Sequence, residues 1–191
     1  MSTRERILDA AERILRTRGV AQATTKEIAQ ETGVSEPTLY KYFQDKERLL
    51  LAVLQERVPN LSRVNARPGE GEVEENLTEL AHAALEFYQR SFPMLGALLA
   101  DPQRMAAHRE AMRRYGAGPE KAVEAFAAYL RAERSLGRIA ADADPDVCAS
   151  LLVGACFQQA FLRYYAHGPD AAPAPRAHAE ALVRMVVRAI T

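Results

Sequence analysis

The sequence predicts an all-α fold, with a three-helix module at the N-terminus and a longer helical region after it. Apolar residues recur at helical spacing along almost the whole chain, and no stretch of useful length alternates in the manner of a strand. Residues suited to capping stand immediately ahead of these patterns, and Gly or Pro punctuates them.

The first helix opens at Ser2, Thr3, Arg4 and Glu5, which have the form of a capping box, and its apolar stripe is Ile7, Ala11, Ile14 and Leu15. Gly19 suits its C-terminal end. Thr24, Thr25, Lys26 and Glu27 repeat the capping-box form and start a short helix that stops at Gly33. Ser35 can cap a third helix, with Pro37 in the first turn, where a missing N–H removes no helical bond. Asp45 can cap a fourth, carrying Leu49 to Val58 before Pro59. Residues 59–71, rich in Pro, Gly, Asn and Ser, read as a loop or linker. Further helices are predicted near 73–91, 93–114, 119–136, 145–167 and 174–190, with no internal repeat. The implied division is a domain at 1–46 and a second at 47–191, in which 47–58 is a connecting helix.

Composition narrows the class. The 191 residues are 48% hydrophobic and 26% charged, as in ordinary globular proteins. The net charge is +0, so a basic surplus cannot argue for nucleic-acid binding; residues 1–60 hold ten Lys/Arg against nine Asp/Glu, and 61–191 hold fifteen against sixteen. Any such affinity depends on where charges sit. Cys148 and Cys156 lie about 12 Å apart along one helix, too far to bridge, and read as small core residues of a reduced protein. The charged N-terminus leaves no room for a signal-peptide core, so a cytoplasmic location is expected. The uncharged run Val147–Leu162 contains Ser150, Gln158 and Gln159 and is shorter than a membrane span, so it is expected to be a helix buried on several sides.

Residues 24–46 carry the functional pattern. A short helix, a tight turn at Gly33 and a second amphipathic helix make a helix-turn-helix. Ile28, Ala29, Val34, Leu39 and Phe43 are expected to face inwards, leaving Glu36, Thr38, Lys41 and Tyr42 outwards; Tyr40 fits either side. Thr38 can bond a phosphate or touch a thymine methyl, and Lys41 and Tyr42 can reach phosphates or base edges. Glu36 is unfavourable near phosphates but can accept from a cytosine amino group. Thr25 and Lys26, at a helix start, suit a phosphate.

Residues 4–15 (RERILDAAERIL), 18–19 (RG), 24–35 (TTKEIAQETGVS) and 37–54 (PTLYKYFQDKERLLLAVL) closely resemble the N-terminal domain of tetracycline-repressor (TetR) family transcriptional regulators. The resemblance implies that the helix after Ser35 enters the major groove of an operator in double-stranded DNA. It further implies that Thr25, Lys26, Ser35, Pro37, Thr38, Tyr40, Tyr42 and Lys46 contact DNA, mainly its backbone. Glu36 and Lys41 match positions that vary in the family, which makes them the candidates for base selection.

A helix-turn-helix reads DNA as a dimer, and the apolar helices near 145–167 and 174–190 are the candidates for a four-helix homodimer interface. Residues 129–162 are similar in layout to the family's regulatory domain, which binds a small molecule in a mostly apolar pocket; repression relieved by the ligand is the family's usual mode. On that resemblance, Tyr88, Phe92, Met94 and Met105 could line a pocket for an apolar or aromatic effector, together with Phe126, Tyr129, Phe157, Gln158 and Phe161. A filled core would instead favour control by a protein partner, or none. An amide such as Gln158 or Gln159 inside an apolar helix needs a hydrogen-bonding partner.

Other signals point to no chemistry. Asp142, Asp144 and Asp146 match a calcium loop only in spacing: no Gly holds the sixth place and Val153 stands where a bidentate Glu is needed, so an acidic helix cap is expected. His82 and Glu86 lack further metal ligands, and His108, His167 and His178 are isolated. No catalytic or nucleotide-binding motif is present, so no enzyme, metal or cofactor is expected.

Overall fold

The computed structural model of the chain describes residues 1–57, 61, 64–169 and 171–191, and every helical side chain within them except those at 18, 20–22, 93, 94 and 97. The Pro59 stop and the Met94 side chain therefore lie outside the described residues. Among the described residues the elements are all helices: α1 (Thr3–Gln22), α2 (Thr25–Thr32), α3 (Glu36–Tyr42), α4 (Lys46–Glu56), α5 (Val73–Leu99), α6 (Pro102–Arg114), α7 (Glu120–Ser135), α8 (Pro145–His167) and α9 (Arg176–Ile190).

The caps explain most of these boundaries. Ser2 and Glu5 form the complete capping box, while Thr24, Ser35 and Asp45 accept from the N–H groups of Glu27, Thr38 and Arg48. Such caps contribute about 1 kcal/mol each. At Gly19 the backbone leaves helical geometry (φ 73°, ψ 167°), which ends the regular part of α1 where the sequence places its stop. Asp144 caps α8 by accepting from Asp146 and Val147, the cap expected of the acidic run.

One predicted boundary is corrected. Pro93 does not separate two helices: α5 passes through that position to Leu99, and the break falls at Asp101. An interior proline costs about 3 kcal/mol, but α5 buries Leu77, Leu80, Ala81, Ala84, Leu85, Phe92 and Leu98 along its length. A stronger stop follows, because Asp101 accepts from Gln103 and Arg104 and Pro102 occupies the first turn of α6.

The chain divides into two compact units, one of Met1–Val58 with Ser91–Gly118, the other of Pro59–Arg90 with Pro119–Thr191. In the first, α1, α2, α3 and α4 enclose a core of Ile7, Leu8, Ile14, Ile28, Leu39, Phe43, Leu49 and Val53. A smaller cluster joins Leu51 of α4 to Ala111 and Met112 of α6.

In the second unit α5 up to Arg90, α7, α8 and α9 contribute Leu77, Leu85, Phe126, Leu130, Leu152, Cys156 and Val183 to one core. Both cysteines are free thiols, and burial pushes Cys156 up to about 12. The fully buried Glu133 pairs with Arg138 at 3.0 Å and accepts from the Gly69 N–H at 3.2 Å, so its charge is compensated.

The expectation that α8 is enclosed on several sides does not hold within one chain. Ala149, Leu152, Val153, Cys156 and Ala160 form its covered face, whereas Val147, Leu151, Phe157, Phe161, Leu162 and Tyr165 are exposed. Gln158 is exposed and Gln159 half-buried, so neither amide requires an internal partner. By length and composition α8 could cross a membrane, the one described helix that could. One face of it, with Leu152, Val153 and Cys156, is packed into the core of the second unit.

Candidate nucleic-acid interface

The helix-turn-helix is held rigidly by its own turn chemistry. Gly33 adopts the left-handed conformation (φ 69°, ψ 27°), its N–H bonds back to Ala29 and Gln30, and the Val34 N–H reaches the Ala29 carbonyl at 3.0 Å. α3 then starts on Ser35, whose hydroxyl accepts from the Thr38 N–H at 3.3 Å and pairs with the Thr38 hydroxyl at 2.8 Å. Leu39 is fully buried and Phe43 nearly so, under the Arg4 guanidinium 5.3 Å from its ring. Of the inward set, Ile28, Ala29, Leu39 and Phe43 are buried and Val34 is half-buried.

Most of the positive charge in this unit is consumed internally. Arg4 grips Glu56 through two bonds, Arg57 pairs with Asp9 and Arg13 with Glu31, and Arg6 donates to the Thr32 carbonyl. These bonds tie α1 to α2 and α4. Lys26 and Lys41 are different: both are exposed and neither pairs with a carboxylate among the described residues. A chain of zero net charge thus still exposes cations that its own carboxylates do not neutralise.

The remaining predicted contacts fall in three settings. Ser35 and Pro37 are exposed, as are Tyr40 (42%) and Tyr42 (45%), while Thr38 and Glu36 are half-buried. Thr25 is buried, and its hydroxyl bonds the Glu36 carboxylate and lies 3.2 Å from the Tyr40 hydroxyl. Lys46 is half-buried and donates to the Ala23 carbonyl at 2.6 Å, which ties the start of α4 to the end of α1; burial lowers its pKa.

Sequence reasoning missed the anchoring of α4 by α6. Asp45, the cap of α4, accepts from Arg114 and, at 2.8 Å, from the Tyr115 hydroxyl; His108 Nδ1 lies 3.1 Å from Glu47, and Arg48 stands 5.2 Å from the Tyr115 ring. Burial raises the Asp45 pKa, but bonds from the Arg48 N–H and Tyr115 and the Arg114 charge together bring it below the usual aspartate value. These partners lie some sixty to seventy positions apart in sequence, and no local pattern announces them.

The residues expected to line a pocket belong to both units. Phe126 and Tyr129 are packed in the core of the second unit, and the Tyr129 hydroxyl accepts from Asn76 at 3.1 Å. Tyr88 is half-buried, edge-on to Phe157 at 5.3 Å, and burial pushes its hydroxyl up to about 12. Phe157, Gln158 and Phe161 are exposed. Phe92 (buried) and Met105 (half-buried) belong to the first unit.

Comparison with known proteins gives matches along most of the chain. Residues 7–53 match the model for bacterial regulatory proteins of the tetR family, and residues 75–190 match that of the AefR-like transcriptional repressor C-terminal domain. The HTH-type transcriptional regulator YvkB of Bacillus subtilis is 36% identical over 84 residues, covering 44% of each chain. The HTH-type transcriptional activator FasR of Mycolicibacterium smegmatis is 47% identical over 58 residues, 30% of this chain and 26% of that protein. The chain thus spans less than half the length of these curated relatives. Among solved structures, GusR of Salmonella enterica superposes with a TM-score of 0.67 at 25% identity, over 96% of this chain and 93% of that one.

Proposed function

The chain belongs to the tetracycline-repressor family of DNA-binding transcriptional regulators, and on that premise we propose that it is a dimeric repressor released from a palindromic operator by a small apolar or aromatic effector. The observation that carries the DNA-reading part is the outer face of α3, where exposed Tyr40, Lys41 and Tyr42 stand on a helix fixed from behind by Leu39 and Phe43. Lys26 adds an exposed cation at the first turn of α2. In this reading Lys26, Ser35, Pro37, Thr38, Tyr40 and Tyr42 engage the DNA backbone, Lys46 supports them from α4, and Lys41 reads a base edge. Thr25 and Glu36 also belong to this face.

The homodimer uses α8 and α9. Leu151 (62% exposed) and Met185 (67%) lead an apolar surface that water disfavours, and a second copy supplies the same surface in return. Two α3 helices held ~34–36 Å apart, or a multiple of it, then meet successive turns of the duplex.

Effector control works through unequal affinity for two conformations: a coupling of about 1–3 kcal/mol weakens operator binding roughly 5–150-fold. Any displacement of α6 acts on the first turn of α4 through Asp45, Arg114 and Tyr115. The core packing of Phe126 and Tyr129 favours a second reading, in which a protein partner, or nothing, takes the effector's place. Titration of purified protein onto labelled duplexes at several salt concentrations tests the DNA-reading face. Lys26→Ala should weaken all duplexes alike and lower the salt slope by about one; an unchanged slope would remove Lys26 from the interface.

A further inference from the structure

The three side chains Thr25, Glu36 and Tyr40 form a hydrogen-bonded relay on the reading face, and its proton directions follow from chemistry. A carboxylate only accepts, so in the Thr25–Glu36 bond the Thr25 hydroxyl is the donor. A hydroxyl has one proton, so Thr25 cannot also donate to Tyr40; in their 3.2 Å contact the Tyr40 hydroxyl gives its proton to Thr25. The Thr25 proton therefore points to Glu36 and the Tyr40 proton to Thr25. Thr25 is buried and its bond to Glu36 links α2 to the first residue of α3, so the carboxylate is held by the scaffold.

We propose that Glu36 is a gate against unspecific DNA: in the free protein it holds the Thr25 hydroxyl, which in turn accepts the Tyr40 proton, and its carboxylate is tolerated beside DNA only where the duplex provides it with another donor. The inference rests on the reading above, that α3 faces DNA. For Tyr40 to donate to a phosphate it must leave Thr25, and Glu36, still held by the Thr25 hydroxyl, stands as a carboxylate close to a polyanion. On most sequences nothing compensates that charge. Where a cytosine amino group lies within reach, Glu36 accepts from it and the penalty disappears. Selectivity then arises from weakening wrong complexes more than from strengthening the right one. The neighbouring pairs fit this division, because Lys41 is exposed without a carboxylate partner whereas Glu36 is pinned.

The test compares wild type, Glu36→Gln and Tyr40→Phe as full chains on two labelled duplexes at one salt concentration. One duplex is recovered by the wild type from a random pool and the other is unrelated; thermal unfolding of each variant checks that it folds. Glu36→Gln should bind the unrelated duplex roughly five- to tenfold more tightly and gain less on the selected one, so that their affinity ratio shrinks. Tyr40→Phe, which keeps the carboxylate, should tighten neither. If Glu36→Gln leaves the unrelated duplex unchanged or binds it more weakly, the gate is overturned while DNA reading stands. If a folded wild type binds no duplex even at low salt, the DNA reading itself fails and the gate with it.

Discussion

The outer face of α3 and the outer face of α8 are both exposed, yet they expose different chemistry. Around α3 Leu39 and Phe43 are covered, and apart from Pro37 what remains outside is hydroxyl, phenol, ammonium and the half-buried Glu36 carboxylate. Along α8 Ala149, Leu152, Val153, Cys156 and Ala160 are covered, while Val147, Leu151, Phe161 and Leu162 face outwards. The first surface suits a charged, hydrated partner; the second suits another apolar surface. Exposure alone is therefore a poor guide to binding, and the chemistry of what is exposed separates the two roles.

The strongest way to break this contrast is to place a charge on the apolar face. Leu151→Glu should convert the dimer to monomers in sedimentation velocity and lower operator affinity by about 10²–10⁴-fold through lost bivalency, with α3 untouched. A variant that stays dimeric would show that α8 is not the interface. A cut beneath the polar face comes next: Leu39→Ala removes a fully buried side chain and should cost about 2–5 kcal/mol in chemical denaturation, because Leu39 is what orients Lys41 and Tyr42. A more local change is Lys41→Ala, expected to alter which bases are preferred at one position of each half-site, at about 1–3 kcal/mol of discrimination. Equal losses on all sequences would make Lys41 a phosphate contact instead.

The smallest effect concerns pH. The Asp45 pKa is lower in the folded protein than in the unfolded chain, so its stabilising contribution is complete above the unfolded value and fades as pH falls through the native one. Asp45→Asn should therefore flatten the acid limb of the stability curve below pH ~4, measured by thermal unfolding at several pH values; an identical limb would mean that the bonds from Tyr115 and Arg114 contribute nothing there.

Local chemistry made the N-terminal module legible. Ser2, Thr24, Ser35 and Asp45 each announce a helix start that the structure keeps, because a cap acts over three or four residues and its signal is contiguous. Pro93 misled for the opposite reason: whether a proline stops a helix depends on what the rest of that helix buries, and burial is a property of the fold. The bond between Thr25 and Glu36 and the clasp of Arg114 and Tyr115 on Asp45 were equally invisible, since both join residues on different helices. The composition of α8 was plain, but not which of its sides the chain covers.

In the proposed assembly two copies of this chain, joined through their apolar faces, present two polar faces to one operator. Selection of bound duplexes from a random pool by the purified protein, at a stated salt concentration, tests it most directly. A palindromic consensus is expected, with half-sites centred one or more helical turns apart, roughly 10–10.5 base pairs or a multiple. Recovery of a single, non-palindromic half-site, or of no sequence above background, would contradict it.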